Sequence, residues 1–376
     1  MQAPRRFAYG KDLWARHAAE WEQLVQRSHG ESAFLTLAWM GAWWDSFGES
    51  LKPEIWRWTD RDGAPVAMAV VSLQRVRVGP VSILAASLNA TGEDRIASEH
   101  NAIPCLPQHR DAVLRSLVDT LIAAKVDMLR LQGFATGDAE VLSAAWPKDG
   151  VRDGFSSEDR HVDLRALRQA GKTYLETLSR NSREQIRRSC RLYEQQHGPL
   201  KVQRLADGER RATAFAELRR LHDARWHARG DAGAFADIRS QTFHQHLAAA
   251  AGFTELVRVT AGEHCIAVLY NLLHAGRVNF YQSGIVYGDD ARLKPGLVAH
   301  ALAVQDYANA GFDEYDFLAG EPQSIRYKAS LGTAVRQLVW QDLYRPTAKM
   351  RALDLLRRAR RALRQRVQDL RRRSAA

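Results

Sequence analysis

Cysteine is scarce in this chain of 376 residues: Cys105, Cys190 and Cys265 stand far apart, and none belongs to a CxxC pair. That spacing excludes a disulfide framework and a thiolate zinc knuckle, and it fits a reducing compartment. The longest apolar stretch, residues 64–88, is interrupted by Gln74, Arg75 and Arg77, so no membrane span is expected. No apolar run separates Arg5 and Arg6 from Lys11 and Asp12, so no secretory leader is expected either. GxSxG, P-loop and GxGxxG motifs are missing from every strand-to-helix context. Serine hydrolases, P-loop nucleotidases and dinucleotide enzymes are thereby set aside. His244 and His246 are two residues apart and cannot share a helical face, so no metal site is expected.

The net charge of +11 resembles a nucleic-acid signature until it is located. Residues 346–376 carry eleven Lys and Arg against Asp354 and Asp369, which leaves the body nearly neutral and removes the case for DNA. In that tail Met350, Leu353, Leu356, Leu363, Val367 and Leu370 fall near one stripe, the pattern of a basic amphipathic helix. Such a helix would lie on an anionic membrane surface, dock on tRNA or a partner, or cover the body with its apolar stripe.

Periodicity then divides the body into two similar halves. Helical spacing runs over residues 11–27, and Thr36 caps a second helix through Trp39, Trp43 and Phe47. Strands at 54–59 and 66–73 flank the Asp62-Gly63 turn, and others are expected at 81–85, near Ile103 and at 127–132. A helix at 108–124 lies among them. The second half expects helices at 174–196 (broken near Ser179), 209–229 and 237–250, then a meander at 255–260, 265–274 and 277–283. A helix from Pro295 and strands at 314–318 and 334–343 complete it. The order repeats while the residues do not, as in a duplicated α+β unit. The expected division is 1–155, 156–345 and the tail 346–376, with the boundary in the polar stretch 149–160.

Chemistry concentrates between Arg277 and Lys328. Lys294, Pro295, Gly296 and Leu297 open a helix whose free N–H groups and positive dipole end suit a pyrophosphate. Upstream, Tyr281, Gln282, Ser283 and Gly284 lie on a strand that would offer backbone N–H groups to an acyl carbonyl. Asp316 stands between Tyr315 and Phe317 on the opposite strand face, as a general base, an acceptor clamp, or the partner of Arg326 or Lys328 in an ion pair. Tyr327 and Lys328 follow as lining residues of the same cleft. Arg180, Arg183 and Arg187 share a helical face that would meet phosphates or simply be solvated, and His222 and Trp226 are i, i+4 neighbours facing a substrate.

Together these residues resemble the CelD-like group of the GNAT superfamily, relatives of the FemAB-like transferases. The resemblance rests on Phe34-Leu35-Thr36 with Trp39 and Trp43, the Asp62-Gly63 hairpin and Ser98-Glu99-His100-Asn101 in the first half. In the second half it rests on residues 179–191, His222 to Trp226, Tyr281 to Gly284, Pro295-Gly296, Tyr315-Asp316-Phe317 and Tyr327-Lys328. It implies an α+β fold of two tandem GNAT-like domains, each a mixed, mostly antiparallel sheet flanked by helices, with the cleft kept in the second. It also implies direct transfer of an acyl group from acetyl-CoA or another acyl-CoA to the amine or hydroxyl of a sugar or amino acceptor, in envelope or exopolysaccharide biosynthesis. A cytoplasmic protein, or one at the inner face of the membrane, is expected. The phosphate loop departs from the family pattern: Leu293 sits where Arg or Gln is usual, and Val298 where Gly or Ala is usual. That weaker grip keeps two alternatives open, an aminoacyl-tRNA donor as in FemAB-like relatives and a non-catalytic, membrane-peripheral assembly factor.

Overall fold

The computed structural model describes residues 2–28, 30–78, 81–93, 96–150, 152–228, 230, 233–319, 325–353 and 355. The first half runs β1 (Arg5–Phe7), α1 (Leu13–Ser28), α2 (Leu37–Leu51), β2 (Glu54–Thr59), β3 (Pro65–Val78), β4 (Val81–Leu88), α3 (Arg110–Ala123), β5 (Met128–Ala135), α4 (Thr136–Ala145) and β6 (Arg152–Asp163). Three connecting helices follow: α5 (Leu164–Gln169), α6 (Tyr174–Thr177) and α7 (Arg180–His197). The second half repeats the first element for element. It runs β7 (Leu200–Leu205), α8 (Gly208–His227), α9 (Ile238–Ala249), β8 (Thr254–Ala261), β9 (His264–His274), β10 (Arg277–Ile285), α10 (Pro295–Asn309), β11 (Glu314–Asp316), α11 (Ile325–Ala329) and β12 (Ala334–Tyr344).

Local signals explain the helix starts. The Thr36 hydroxyl accepts the Trp39 N–H and caps α2. The Ser179 hydroxyl accepts the Ser182 N–H, producing the expected break before α7.

All twelve strands form one sheet in the order β1-β2-β3-β4-β5-β12-β6-β11-β10-β9-β8-β7. The order is a palindrome once β6 and β12 are taken as equivalents. Each half therefore gives its last strand to the other. β12 pairs with β5 of the first half, β6 pairs with β11 of the second, and the two exchanged strands pair with each other along residues 334–343 and 152–161. The expected boundary after residue 155 thus lies inside an exchanged strand. In both halves one parallel pair interrupts the antiparallel ladders: Ala85–Ser87 beside Met128–Arg130, and Arg277–Asn279 beside Glu314–Asp316.

Helices cover both faces. Side chains of Trp39, Trp43, Leu218, Phe243, Tyr270 and Tyr281 pack on the face that carries α1, α2, α8 and α9. Val298, Tyr307, Tyr315, Phe317, Ile186 and Tyr174 pack on the other, beneath α7 and α10. The segment near Ile103 is loop rather than the expected strand, joined to the sheet by single bridges at Asn101 and Cys105. β1, β6, β7, α4, α5 and α11 were not expected. Among the described residues no helix is long and apolar enough to cross a membrane. At the start of the tail Met350 and Leu353 pack with Ile83, Met128 and Tyr344, and Lys349 pairs with Asp127 at 2.5 Å. The rest of the expected basic helix lies outside the described residues.

Candidate functional site

β10 and β11 run together for three residues and then part. Beyond Asn279 the edge of β10 that faced β11 has no strand partner among the described residues, while its other edge stays paired with β9. A bulge falls at Tyr281: Phe280 lies opposite Asn271 and Gln282 opposite Tyr270. The Tyr281 ring turns toward Trp39 (5.4 Å), His244 (5.8 Å) and Tyr270 (5.9 Å), and burial drives its hydroxyl pKa well up. Gln282 and Ser283 are half-buried. A Cβ on Gly284 would stand 2.7 Å from the Leu218 carbonyl oxygen and 2.8 Å from the Leu221 Cβ, so this glycine serves the seating of α8.

α10 begins where the strands part. Lys294 donates its N–H to the Ser189 hydroxyl of α7 at 2.9 Å, and Pro295 takes the first helical position. A Cβ on Gly296 would meet only the Ile285 Cδ1, at 3.5 Å. Gly296 and Leu297 therefore present first-turn N–H groups at a roomy mouth. On α7, Arg188 and Arg191 are exposed on either side of Ser189, as is Arg187. Arg180 is exposed at the start of the same helix, and Arg183 donates to the Leu178 carbonyl at 3.2 Å. His222 and Trp226 do come together (5.9 Å), but on α8, across the sheet from α7. The substrate residues expected from the sequence thus divide between two faces. His222 is buried, its Nδ1 lies 3.4 Å from Asp223, and burial lowers its pKa.

Asp316 ends the short β11 and is 1% exposed. Its oxygens face the Arg336 guanidinium (2.7 Å), the His100 Nε2 (3.1 Å) and the Leu318 N–H (2.7 Å). The ion-pair partner is Arg336 of the exchanged strand β12. Lys328 is buried instead, and donates its Nζ to the carbonyls of Leu318 (2.9 Å) and Ala319 (3.3 Å). Burial lowers the Lys328 pKa.

Sequence reasoning missed most of this cluster. Asp159 of β6 takes a 2.7 Å bond from Arg336 and lies 3.5 Å from His100. Burial, and then the charge of Asp316 and a hydrogen bond with it, raise the Asp159 carboxyl to about 7. Burial alone would raise Asp316 too, but hydrogen bonds from His100 and Asp159 hold it below its usual range. His100 is raised by the same two carboxylates, against the effect of its own burial. His100, Asp159 and Asp316 have metal-ligand spacing, within 4.8 Å of one another. The Arg336 guanidinium on both carboxylates already supplies the positive charge that a cation would bring.

The loop before α3 delivers His100 to this cluster and brings Glu99 with it. It docks on β5 at Asn101, and Glu99 accepts the Ala319 N–H at 2.7 Å. His100 (φ 47°) and Leu318 (φ 58°) both hold left-handed conformations, a strain typical of functional positions. The available signal was Ser98-Glu99-His100-Asn101, the end of a long polar loop between strands. A depression of about 400 Å³, bordered by Gln26, Glu31, His100, Asn101, Asp138 and Arg277, opens beside the cluster.

Residues 180–329, from α7 to α11, match the family model for the acetyltransferase (GNAT) domain. Comparison with curated proteins returns no match. In fold the chain is similar to FemX, with a TM-score of 0.56 at 10% identity, covering 93% of this chain and 99% of that one. It is also similar to the C-terminal domain of a putative lysylphosphatidylglycerol synthetase from Agrobacterium fabrum, with a TM-score of 0.54 at 10% identity over 91% and 95%. A conserved protein of unknown function from Bacteroides thetaiotaomicron gives 0.56 at 10% identity over 89% and 98%.

Proposed function

We propose that this protein is an acyltransferase whose second half binds an acyl-CoA donor where β10 and β11 part, and transfers the acyl group to an amine or hydroxyl. The observation that carries this reading is the parting itself, with the bulge at Tyr281 on one wall and the first turn of α10 at its mouth. The open β10 edge at Gln282–Ser283 offers a backbone N–H to the thioester carbonyl. Gly296 and Leu297, with Arg188 and Arg191 alongside, meet the donor phosphates.

The acceptor would come from the opposite face. His100 borders the depression there, and its side chain is 17% exposed with Asp316 and Asp159 behind it. That makes His100 the group placed to take the acceptor's proton, with the two aspartates orienting it and balancing its charge. A sugar or amino acceptor from envelope or exopolysaccharide synthesis is the substrate class that the sequence resemblance favours.

Isothermal titration of the full chain with acetyl-CoA tests the donor. Saturable heat is expected, and it should vanish in Gly296→Trp while the melting temperature holds. The exposed arginines of α7 and the fold likeness to FemX support a second reading, an aminoacyl-tRNA donor. No heat with acetyl-CoA, together with salt-sensitive retention of tRNA, would establish that donor instead. Neither response would favour the non-catalytic assembly factor.

A further inference from the structure

The α10 side of the same strand end holds a histidine that the reading above leaves unused. Asp316 and Phe317 are consecutive, so they project to opposite faces. Asp316 meets His100, and Phe317 meets His300 of α10, with ring centroids 5.3 Å apart. His300 is fully buried among Phe280 (4.4 Å), Phe317 and Tyr327 (6.1 Å, stacked). Its Nδ1 lies 3.2 Å from the Tyr315 hydroxyl. Its Nε2 makes no hydrogen bond among the described residues.

The tautomer follows from counting donors and acceptors. Tyr315 is fully buried, and its hydroxyl has His300 Nδ1 as its one hydrogen-bond partner among the described residues. A buried hydroxyl that fails to donate loses its whole solvation, so the Tyr315 O–H donates to Nδ1. A neutral imidazole that accepts at Nδ1 carries its proton on Nε2. Desolvation pushes the His300 pKa down to about 3, and the ring stays neutral at any working pH. The outcome is an N–H donor without an acceptor, walled by aromatic rings, at the place where β10 and β11 part. Such a donor is strong because no water competes for it.

We propose that His300 Nε2–H is a carbonyl-polarising donor for the acyl thioester, acting from the α10 face while His100 serves the acceptor from the other. This rests on the donor reading above. The acceptor's nitrogen or oxygen lone pair forms the new bond to the carbonyl carbon, and the C=O electron pair moves onto oxygen, where Nε2–H holds it. Return of that pair breaks the C–S bond. The thiolate leaves and ends as thiol, taking up the proton that the acceptor has given to His100. Tyr327, stacked on His300 and 37% exposed, reaches from the ring to the surface and must swing aside to admit the thioester.

Two measurements on the full chain test this. Imidazole 15N–1H correlation spectra, with the His300 signal assigned by its loss in His300→Phe, should show a neutral ring protonated at Nε2. A proton on Nδ1, or an imidazolium, overturns the proposal. The second measurement follows acetyl-CoA thioester cleavage by free-thiol release. His300→Phe should lower kcat by about 100-fold with little change in KM, and His300→Gln, which restores an amide N–H, should recover part of it. Tyr315→Phe, which frees Nδ1 and lets the tautomer exchange, should give an intermediate loss. Wild-type turnover matched by His300→Phe refutes His300 alone and leaves the donor reading intact. A loss that Gln fails to restore, accompanied by a lower melting temperature, also overturns the proposal, since it marks a structural histidine. A wild-type chain that neither binds nor cleaves acetyl-CoA overturns both.

Discussion

Asp159 and Asp316 occupy adjoining positions beside one guanidinium, yet they are pushed in opposite directions, and that difference is measurable. Asp159 binds its proton more tightly in the folded chain than at its ordinary value of 3.8, up to about 7. Folding therefore takes up a proton between about pH 4 and 7, and stability falls as pH rises through that window. His100, also raised, adds to the fall at higher pH, because the stability it contributes below 6.5 is lost above its folded value. Asp316, held low, acts oppositely and costs stability only in strong acid. The unfolding free energy from urea titration should thus be higher at pH 5 than at pH 8, by about 2–3 kcal/mol, the size of a shift of two units. Asp159→Asn, permanently neutral, should flatten the slope, whereas a slope retained in that variant would place the proton elsewhere. His100 offers a kinetic counterpart. If it takes the acceptor's proton, kcat/KM rises with pH as the ring deprotonates, and His100→Gln removes that limb along with most of the rate. A rising limb that survives the substitution assigns the base to another group.

Elements were legible in the sequence where one face is apolar and illegible where buried positions are charged. The α2 and α10 starts and the β8–β10 meander follow from capping residues, Pro295 and apolar periodicity. β6 falls largely in the polar stretch 149–160 where the sequence places the boundary, because its residues, RDGFSSEDRHVD, are nearly all polar. It is nevertheless paired on both sides, and Asp159 is buried through the bonds of Arg336 rather than by apolar neighbours. Hydrophobic periodicity cannot detect a strand that buries ion pairs. The site was half legible for a related reason. Tyr281, Lys294 to Leu297, Asp316 and Lys328 lie in one continuous segment, while Asp159 and Arg336 arrive on the two exchanged strands and His100 on the loop before α3. The two glycines of the cleft also separate at this scale. Gly284→Ala would force α8 off β10 and should cost about 1–3 kcal/mol in a denaturant titration. Gly296→Ala, with a free path for its Cβ, should change stability by less than about 1 kcal/mol. Equal losses at the two positions would contradict the packing described for α8.

At the scale of the whole molecule, the exchanged strands bind the halves into one cooperative unit. Residues 1–155 alone would lack β12 beside β5, and residues 156–345 alone would lack the first part of β6. Each fragment should aggregate when produced separately, and the intact chain should melt in a single transition by both near- and far-ultraviolet circular dichroism. Two separate transitions, or a soluble folded fragment, would show that the exchange is not needed for either half. The two halves differ in the segment that joins the third long strand to the helix after it. In the first, residues 96–106 dock on β5 at Asn101 and carry Glu99 and His100 across to the second. In the second, the corresponding connection, residues 286–294, links β10 to α10, and β10 and β11 part after Asn279. The donor is proposed to occupy this second parting. Hydrogen–deuterium exchange with and without acetyl-CoA tests that placement. Protection is predicted at residues 281–285 and in the first turn of α10, with no change at the start of α3. Protection confined to the first half, or none at saturating acetyl-CoA, would contradict it.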